Sequence, residues 1–334
     1  MIHVHHPVLV GQTALYLGKK YNIPVAYTYH TRYEEYLHHF KLYEAMASGE
    51  YPVSRIARYG KEILVPALIT AFSNQCDLVF APTSTMKDHL LEQGTKTRIS
   101  VLPTGLDRVS FQYDEMLSSE IRNMYGNGCP YLFATTARLE KEKNLDFLFQ
   151  GTARLRDILG QDFRLMVIGD GTERRHLEEL ARMLGISRQI VFTGKIENTR
   201  VRHYLNAADA FLFASKSETQ GIVLLEAMAA GCPVAAVRAS GVVDVVRQGI
   251  NGYMTEEAPE AFAAAAARLV LERGVWSGMS EEARKTAELY ESGRIAALAA
   301  EQYGLMTGQK EDAGYEEHGK GMLVPSILRL FKAA

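Results

Sequence analysis

Two glutamates carry the first chemical signal in this chain. In SKSETQGIVLLEAMAAGCPV, residues 216–235, Glu218 and Glu226 flank a mostly apolar run that contains Gly221. Burying a carboxylate without partners is costly, so these two either satisfy backbone donors or reach into a cleft for a ligand. A strand, AFLFAS, ends at Ser215, and the pattern predicts a helix from about Gly221 to Ala230, stopped by Gly231 and Pro233. The start of such a helix leaves backbone N–H groups free beside its positive dipole end, which suits a diphosphate, and Gly221 permits close approach. Glu226, just over a turn into the helix, has two oxygens that can accept from vicinal hydroxyls, as on a ribose. Glu218, in the loop, is placed to contact a sugar beyond the phosphates. A purely structural account exists for one of the pair: Ser217 and Gln220 have capping-box spacing, and Glu218 favours the helix dipole. It gives Glu226 no reason to be there.

A second group is cationic. In TTARLEKEKNLDFL, Arg138 and Lys143 follow a strand that ends near Leu139. Parallel α/β sheets bind ligands outside the carboxyl ends of their strands, and a forked guanidinium beside a point charge makes a diphosphate clamp. A solvated charged loop is the plainer reading. VIGDGTERRHLEEL offers Gly169 and Gly171 after a strand, but Arg174 stands where a dinucleotide fingerprint needs its third glycine. A tight strand-to-helix turn accounts for both glycines. His3 and His5 share one face of a strand in IHVHHPVLVG, with His6 adjacent, and no further ligand cluster supports zinc. His30 ends a strand in YTYHTRYEEYLHHF, followed by Tyr33, Tyr36 and Phe40 at helical spacing, an aromatic core stripe on the plain reading. Arg55, Arg58 and Lys61 beside Ile56, Ile63, Leu64 and Leu68 fit either an anionic membrane surface or a helix packed on a sheet, with Pro66 kinking or ending it.

These residues need a scaffold, and the chain is long enough for two domains at 334 residues. From residue 130 onward the apolar runs YLFATTARL, FRLMVIG, IVFTG, AFLFAS and PVAAV alternate with helical patterns such as ERRHLEELARMLG. Strands apolar on both faces and separated by helices imply a doubly wound parallel sheet. The first 125 residues offer four strand candidates, IHVH, VAYTY, LVFAPT and ISVLPTG, and open inside a strand. Residues 259–308 read as helical, QKEDAGYEEHGKG as a loop or linker, and VPSILRLFKAA as a short amphipathic tail helix. The expected organisation is therefore an incomplete domain over 1–125, a doubly wound domain over 126–308, and a linker with a tail over 309–334; the resemblance described next makes the first an acceptor-side domain and the second a nucleotide-sugar-binding domain. A formal net charge of −2 argues against a general nucleic-acid partner. Three dispersed cysteines form no CxxC pair, and no apolar run reaches about 18 residues. Cytoplasm is the default location.

In this order and spacing the motifs resemble the retaining glycosyltransferases of family 4, whose GT-B fold faces two Rossmann-like domains across a cleft. Glu218 and Glu226 match the family's E-x7-E motif; ARLEKEKN is similar to its G-R-L-x-x-E-K-N segment, with Ala137 for the usual glycine; VIGDGTERRHLE and IVFTGKI also fit. The resemblance implies that Arg138 and Lys143 meet the nucleotide's phosphates, Glu226 the ribose, and Glu218 the donor sugar. Backbone at Gly221 and Ile222 would hold the diphosphate and backbone at Ile196 the base, with Gly171 among the donor-binding positions and His30 beside donor sugar and acceptor. It implies no metal and no cofactor other than the nucleotide-sugar. IHVHHPVLVGQTAL and YTYHTRYEEYLHHF look like segments of bacterial diacylglycerol glucosyltransferases, so the expected reaction carries glucose from UDP-glucose to diacylglycerol at the inner face of the cell membrane. Relatives begin with a strand and glycine-rich loop ahead of the segment that opens this chain, so roughly 80 to 100 residues are expected to be missing before Met1. The rival readings are a non-catalytic nucleotide-sugar-binding remnant, an NAD-linked oxidoreductase, and a hexosyl- or mannosyltransferase acting on phosphatidylinositol or a glycan.

Overall fold

The computed structural model describes residues 1–33 and 58–312. Tyr36, Phe40, Arg55, Ile56 and the expected tail helix lie outside the described residues.

The first sheet has strands β1 (Ile2–Val4), β2 (Val25–Thr28), β3 (Leu78–Ala81) and β4 (Ile99–Val101), all parallel and in that spatial order. Among the described residues three helices accompany it: α1 (Val10–Tyr21), α2 (Val65–Ser73) and α3 (Ser84–Glu92). Alternate side chains of β2 and β3 enter different cores, as a sheet covered on both faces requires. Val25, Tyr27, Val79 and Ala81 pack with Phe72, Met86 and Leu90, while Ala26, Leu78 and Phe80 pack with Met306. Pro66 does not end its helix: a π-helical turn over Gly60–Leu64 runs directly into α2, so the irregularity falls just ahead of the proline, which sits in the first turn of the α-helical part.

The second sheet runs β10-β9-β8-β5-β6-β7, all parallel. Its strands are β5 (Tyr131–Thr136), β6 (Phe163–Ile168), β7 (Ile190–Gly194), β8 (Ala210–Phe213), β9 (Val234–Val237) and β10 (Gly252–Thr255). Its helices are α4 (Glu115–Gly126), α5 (Leu145–Leu159), α6 (Arg174–Met183), α7 (Asn198–Asn206), α8 (Ile222–Ala229), α9 (Ser240–Val243), α10 (Pro259–Leu271) and α11 (Arg273–Glu288). The expected doubly wound sheet is present. Phe133, Leu165, Val167 and Leu212 feed one core and Leu132, Met166, Ile168, Phe211 and Phe213 the other. Five of the strands match the apolar runs; β10 is additional. Its GYMT sequence is too short and mixed to show a period, and Gly252 is needed because a Cβ there would lie 2.3 Å from the Val234 carbonyl oxygen.

The chain changes sides twice. Leu106, Ile121 and Tyr125 already pack in the second core, so the crossing follows β4 closely. The last described helix, α12 (Ser292–Asp312), returns to lay Tyr303 and Met306 on the first sheet. It continues helically through residues 309–312, where the composition predicts a loop, its near end tied by Leu106 and Ser292 backbone bonds.

Candidate active site at the topological switch point

The second sheet winds outward from β5 through β6 and β7, then returns to the other side of β5 with β8. Ligands of such sheets bind where the winding reverses, outside the strand carboxyl ends. The loops leaving β5 and β8 hold Arg138, Lys143 and Glu218 there. Asn144, in the left-handed region at φ 55°, ends the first loop and donates through Nδ2 to the Ala214 carbonyl oxygen at 3.2 Å. Ser217 Oγ donates to the Glu142 carbonyl oxygen at 3.3 Å, a second tie between the loops. Lys143 Nζ and Glu218 Oε1 are 2.5 Å apart. Arg138 lies more openly, 3.6 Å from Glu142.

The path from Glu218 into α8 depends on glycine. Gly221 has φ 69°, and a Cβ there would lie 2.9 Å from the Gly241 carbonyl oxygen. Gly241 in turn presses on the Glu218 backbone, while Ser240 Oγ donates to the Glu218 carbonyl oxygen at 3.3 Å. The expected capping box does not form: α8 starts from Gly221 with no side-chain cap. Leu224 N–H turns back to the Gly221 carbonyl oxygen at 2.9 Å, so among the described residues the Ile222 and Val223 amides remain free donors at this helix start.

Glu226 sits one turn further on. Burial pushes its carboxyl pKa up, and among the described residues no hydrogen bond or ion pair to it is formed. It lines a small recess with Ser110, Asn198, Thr199 and the cationic Arg202, between the interdomain crossing and the start of α7. A half-buried carboxylate without a hydrogen-bond donor among those residues can accept from a pair of hydroxyls. Ile196 is half-buried just beyond β7, in the loop that leads to the same helix start.

The first domain meets this loop directly. Thr219 Oγ1 donates to the His30 carbonyl oxygen at 2.9 Å, and Thr83 Oγ1, which also caps α3 by accepting from Met86 N–H, donates to the Thr219 carbonyl oxygen at 3.4 Å. Gln220, buried, bonds Thr104 at both ends of its amide: Oε1 accepts from Thr104 N–H at 2.7 Å and Nε2 donates to the Thr104 carbonyl oxygen at 2.9 Å. Ser84 bonds Asp244 across the same seam. His30, two residues past β2, stacks on His5, with its Nε2 2.7 Å from His5 Nδ1. Loss of water holds its pKa below the usual imidazole value, and the neighbouring His5 adds to the drop. His3 extends the pile and lies 2.8 Å from the Tyr303 hydroxyl and 2.7 Å from Thr28 Oγ1. Among the described residues no cluster of three or more His, Cys, Asp or Glu is assembled to hold a metal ion.

Gly169 and Gly171 are explained by packing. Cβ atoms there would lie 2.0 Å from the Ala137 and 2.4 Å from the Leu139 carbonyl oxygens, so the turn after β6 is pressed against the Arg138 loop. Arg174, in the third fingerprint position, places its guanidinium 4.0 Å over the Phe192 ring and pairs with Glu178. Gly171 thus supports the cation loop from behind.

Sequence reasoning does not single out Thr219, Gly241, Asn144 or Thr104. Their partners lie far away in the chain, and each is an ordinary loop residue until the two sheets are brought together. Gln220 does stand out in the sequence, but for a capping role that the fold does not use.

Two family models match the chain. The model described as glycosyl transferases group 1 matches residues 120–287, and that of glycosyltransferase family 4 matches residues 1–109. The chain belongs to the group 1 glycosyl transferases. An alpha-monoglucosyldiacylglycerol synthase of Streptococcus pneumoniae is 31% identical over 243 residues, 71% of this chain and 51% of that protein. One of the same name from Acholeplasma laidlawii is 26% identical, over 75% of this chain and 62% of its own length. The chain thus spans about half to three-fifths of these two relatives. Among solved structures, Anabaena HepE in complex with UDP superposes with a TM-score of 0.75 at 18% identity, over 91% of this chain and 78% of that one. That likeness establishes the GT-B fold for this group 1 glycosyl transferase.

Proposed function

We propose that this chain carries the donor site of a retaining glycosyltransferase that moves glucose from UDP-glucose to diacylglycerol. The observation that carries the reading is Glu226: a largely desolvated carboxylate with no hydrogen-bond partner among the described residues, one turn inside a helix that begins just after Glu218, the ion-pair partner of Lys143. The diphosphate lies against the Ile222 and Val223 amides, the ribose on Glu226, and the base near Ile196. Glu218 and His30 border the sugar. The bond from the sugar's anomeric carbon to the diphosphate oxygen breaks while a bond to the acceptor hydroxyl forms on the same face, and the hydroxyl proton passes to the departing phosphate. Arg138, Lys143 and the amides stabilise the charge left on the diphosphate, which is the main source of acceleration in such a scheme.

Lipid as acceptor is supported by the names of the two synthases. No described helix is long and apolar enough to cross a membrane. The test is a calorimetric panel of UDP, GDP and ADP, followed by UDP-glucose with vesicles containing diacylglycerol or phosphatidylinositol. Tight binding of UDP alone and a glucosylated diacylglycerol are expected. Preference for another nucleotide removes the donor assignment, and glucosylated phosphatidylinositol or no glycolipid removes the acceptor assignment.

A further inference from the structure

Three cations at the switch point each face a carboxylate: Arg138 and Glu142 at 3.6 Å, Lys216 and Glu257 at 2.6 Å, Lys143 and Glu218 at 2.5 Å. The pairs differ in how much water they keep. The side chains of Arg138 and Lys216 are 60% and 52% exposed, so solvent screens them. Lys143 is 11% exposed and Glu218 27%, so this pair feels its partner most strongly. Both backbones are fixed. Lys143 N–H bonds the Glu140 carbonyl oxygen at 3.0 Å just ahead of left-handed Asn144, and Glu218 is clasped by Gly241 and Ser240. The side chains alone are left to exchange partners.

We propose that Glu218 is a place-holding counter-ion for Lys143. It neutralises the ammonium until a diphosphate, with more charge and several acceptor oxygens, takes the ammonium from it. The freed carboxylate, repelled by the phosphates, turns to the hydroxyls of the sugar. When the sugar has left, nothing but phosphate charge faces Glu218, and recapture of Lys143 weakens the hold on the nucleoside diphosphate product. Glu218 thereby favours the sugar-bearing donor over the bare product at the same site. This inference rests on the donor reading above and adds what sets the relative affinities there.

The experiment is calorimetric titration of the whole chain with UDP, UDP-glucose and inorganic pyrophosphate, in wild type, Glu218→Gln, Lys143→Gln and the double variant, with Glu218→Ala as a second removal of the charge and thermal melting to confirm folding. Removing the competitor tightens UDP and pyrophosphate by about fivefold, while UDP-glucose, which loses its sugar contact, gains less or weakens. In the Lys143→Gln background the Glu218 substitution leaves UDP affinity unchanged. Unaltered or weakened UDP binding in both Glu218 variants overturns the exchange and makes the pair a static link between loops. Tightening that persists without Lys143 overturns it in favour of simple repulsion. Wild-type chain that binds neither UDP nor pyrophosphate removes the donor reading itself, a result distinct from either.

Discussion

At the scale of single residues, Glu226 and His3 make opposite use of burial. Glu226 is largely desolvated and has no hydrogen-bond partner among the described residues, which leaves its oxygens for a ligand. If those oxygens hold the ribose, UDP should bind about tenfold or more tighter than 2′-deoxy-UDP, since a hydrogen bond to a charged group contributes about 1.5–3 kcal/mol. Glu226→Gln should erase most of that difference, as read by parallel titrations. His3 is instead absorbed by the fold: burial first, then the proximity of His5 and His30, lowers its pKa to about 4. The neutral ring suits its neighbours, since one nitrogen can accept and the other donate across its bonds to Tyr303 and Thr28. The unfolded chain takes a proton at His3 near pH 6.5 and the folded chain resists it down to about 4. Its contribution is therefore full above pH 6.5 and is lost progressively as pH falls toward 4. Melting temperature should drop less steeply over that interval in His3→Gln than in wild type, and equal slopes would remove His3 from the account.

Among the elements, α8 is the one on which the site turns, and its start is built from glycine rather than from a cap. Gly221→Ala forces a left-handed backbone on a residue with a Cβ and drives that Cβ toward Gly241, a cost of about 1–2 kcal/mol from the backbone alone. A lower melting temperature together with weakened UDP binding is expected; an unchanged titration would show that the helix start does not shape the site. This element also shows what a single sequence reveals. The bounds of α8 were legible because Gly221, Gly231 and Pro233 punctuate an apolar run. The first sheet's four strands and five of the second sheet's were legible because LVFA, AFLF and VAAV are buried on both faces. β10 was not, since an edge strand of GYMT has no period to read. The capping box does not form because Gln220 has a better partner in Thr104, more than a hundred residues earlier in the chain.

Over the whole molecule, two sheets are joined by a crossing after β4 and by α12, which returns to cover the first sheet. No local pattern announces that return: SGRIAALAAEQYGLM reads as a helix of either domain until Phe80 and Tyr303 are seen edge to face, their centroids 5.7 Å apart. Among the described residues Gln220 makes two of the polar contacts that tie the seam between the sheets. Its replacement by alanine removes about 1–2 kcal/mol of bonding and frees the Thr104 amide. Hydrogen exchange should then accelerate at residues 104–106 and at the Gly221 turn, while β5 and β6 stay protected. Uniform acceleration would instead mean that the domain core depends on Gln220. The candidate site was legible as a set of residue types, because strand-end loops carry ligands in any such sheet. How its charges pair was not, because Lys143 and Glu218 are brought together only when the chain returns from β7 to lay β8 beside β5.

The most direct test of the central claim, that a nucleoside diphosphate occupies the mouth of α8, is a crystal structure of the chain grown with UDP. The diphosphate should lie within hydrogen-bonding reach of the Ile222 and Val223 amides and of Lys143 Nζ, with both ribose hydroxyls on Glu226. UDP held elsewhere, or a ribose remote from Glu226, would contradict it.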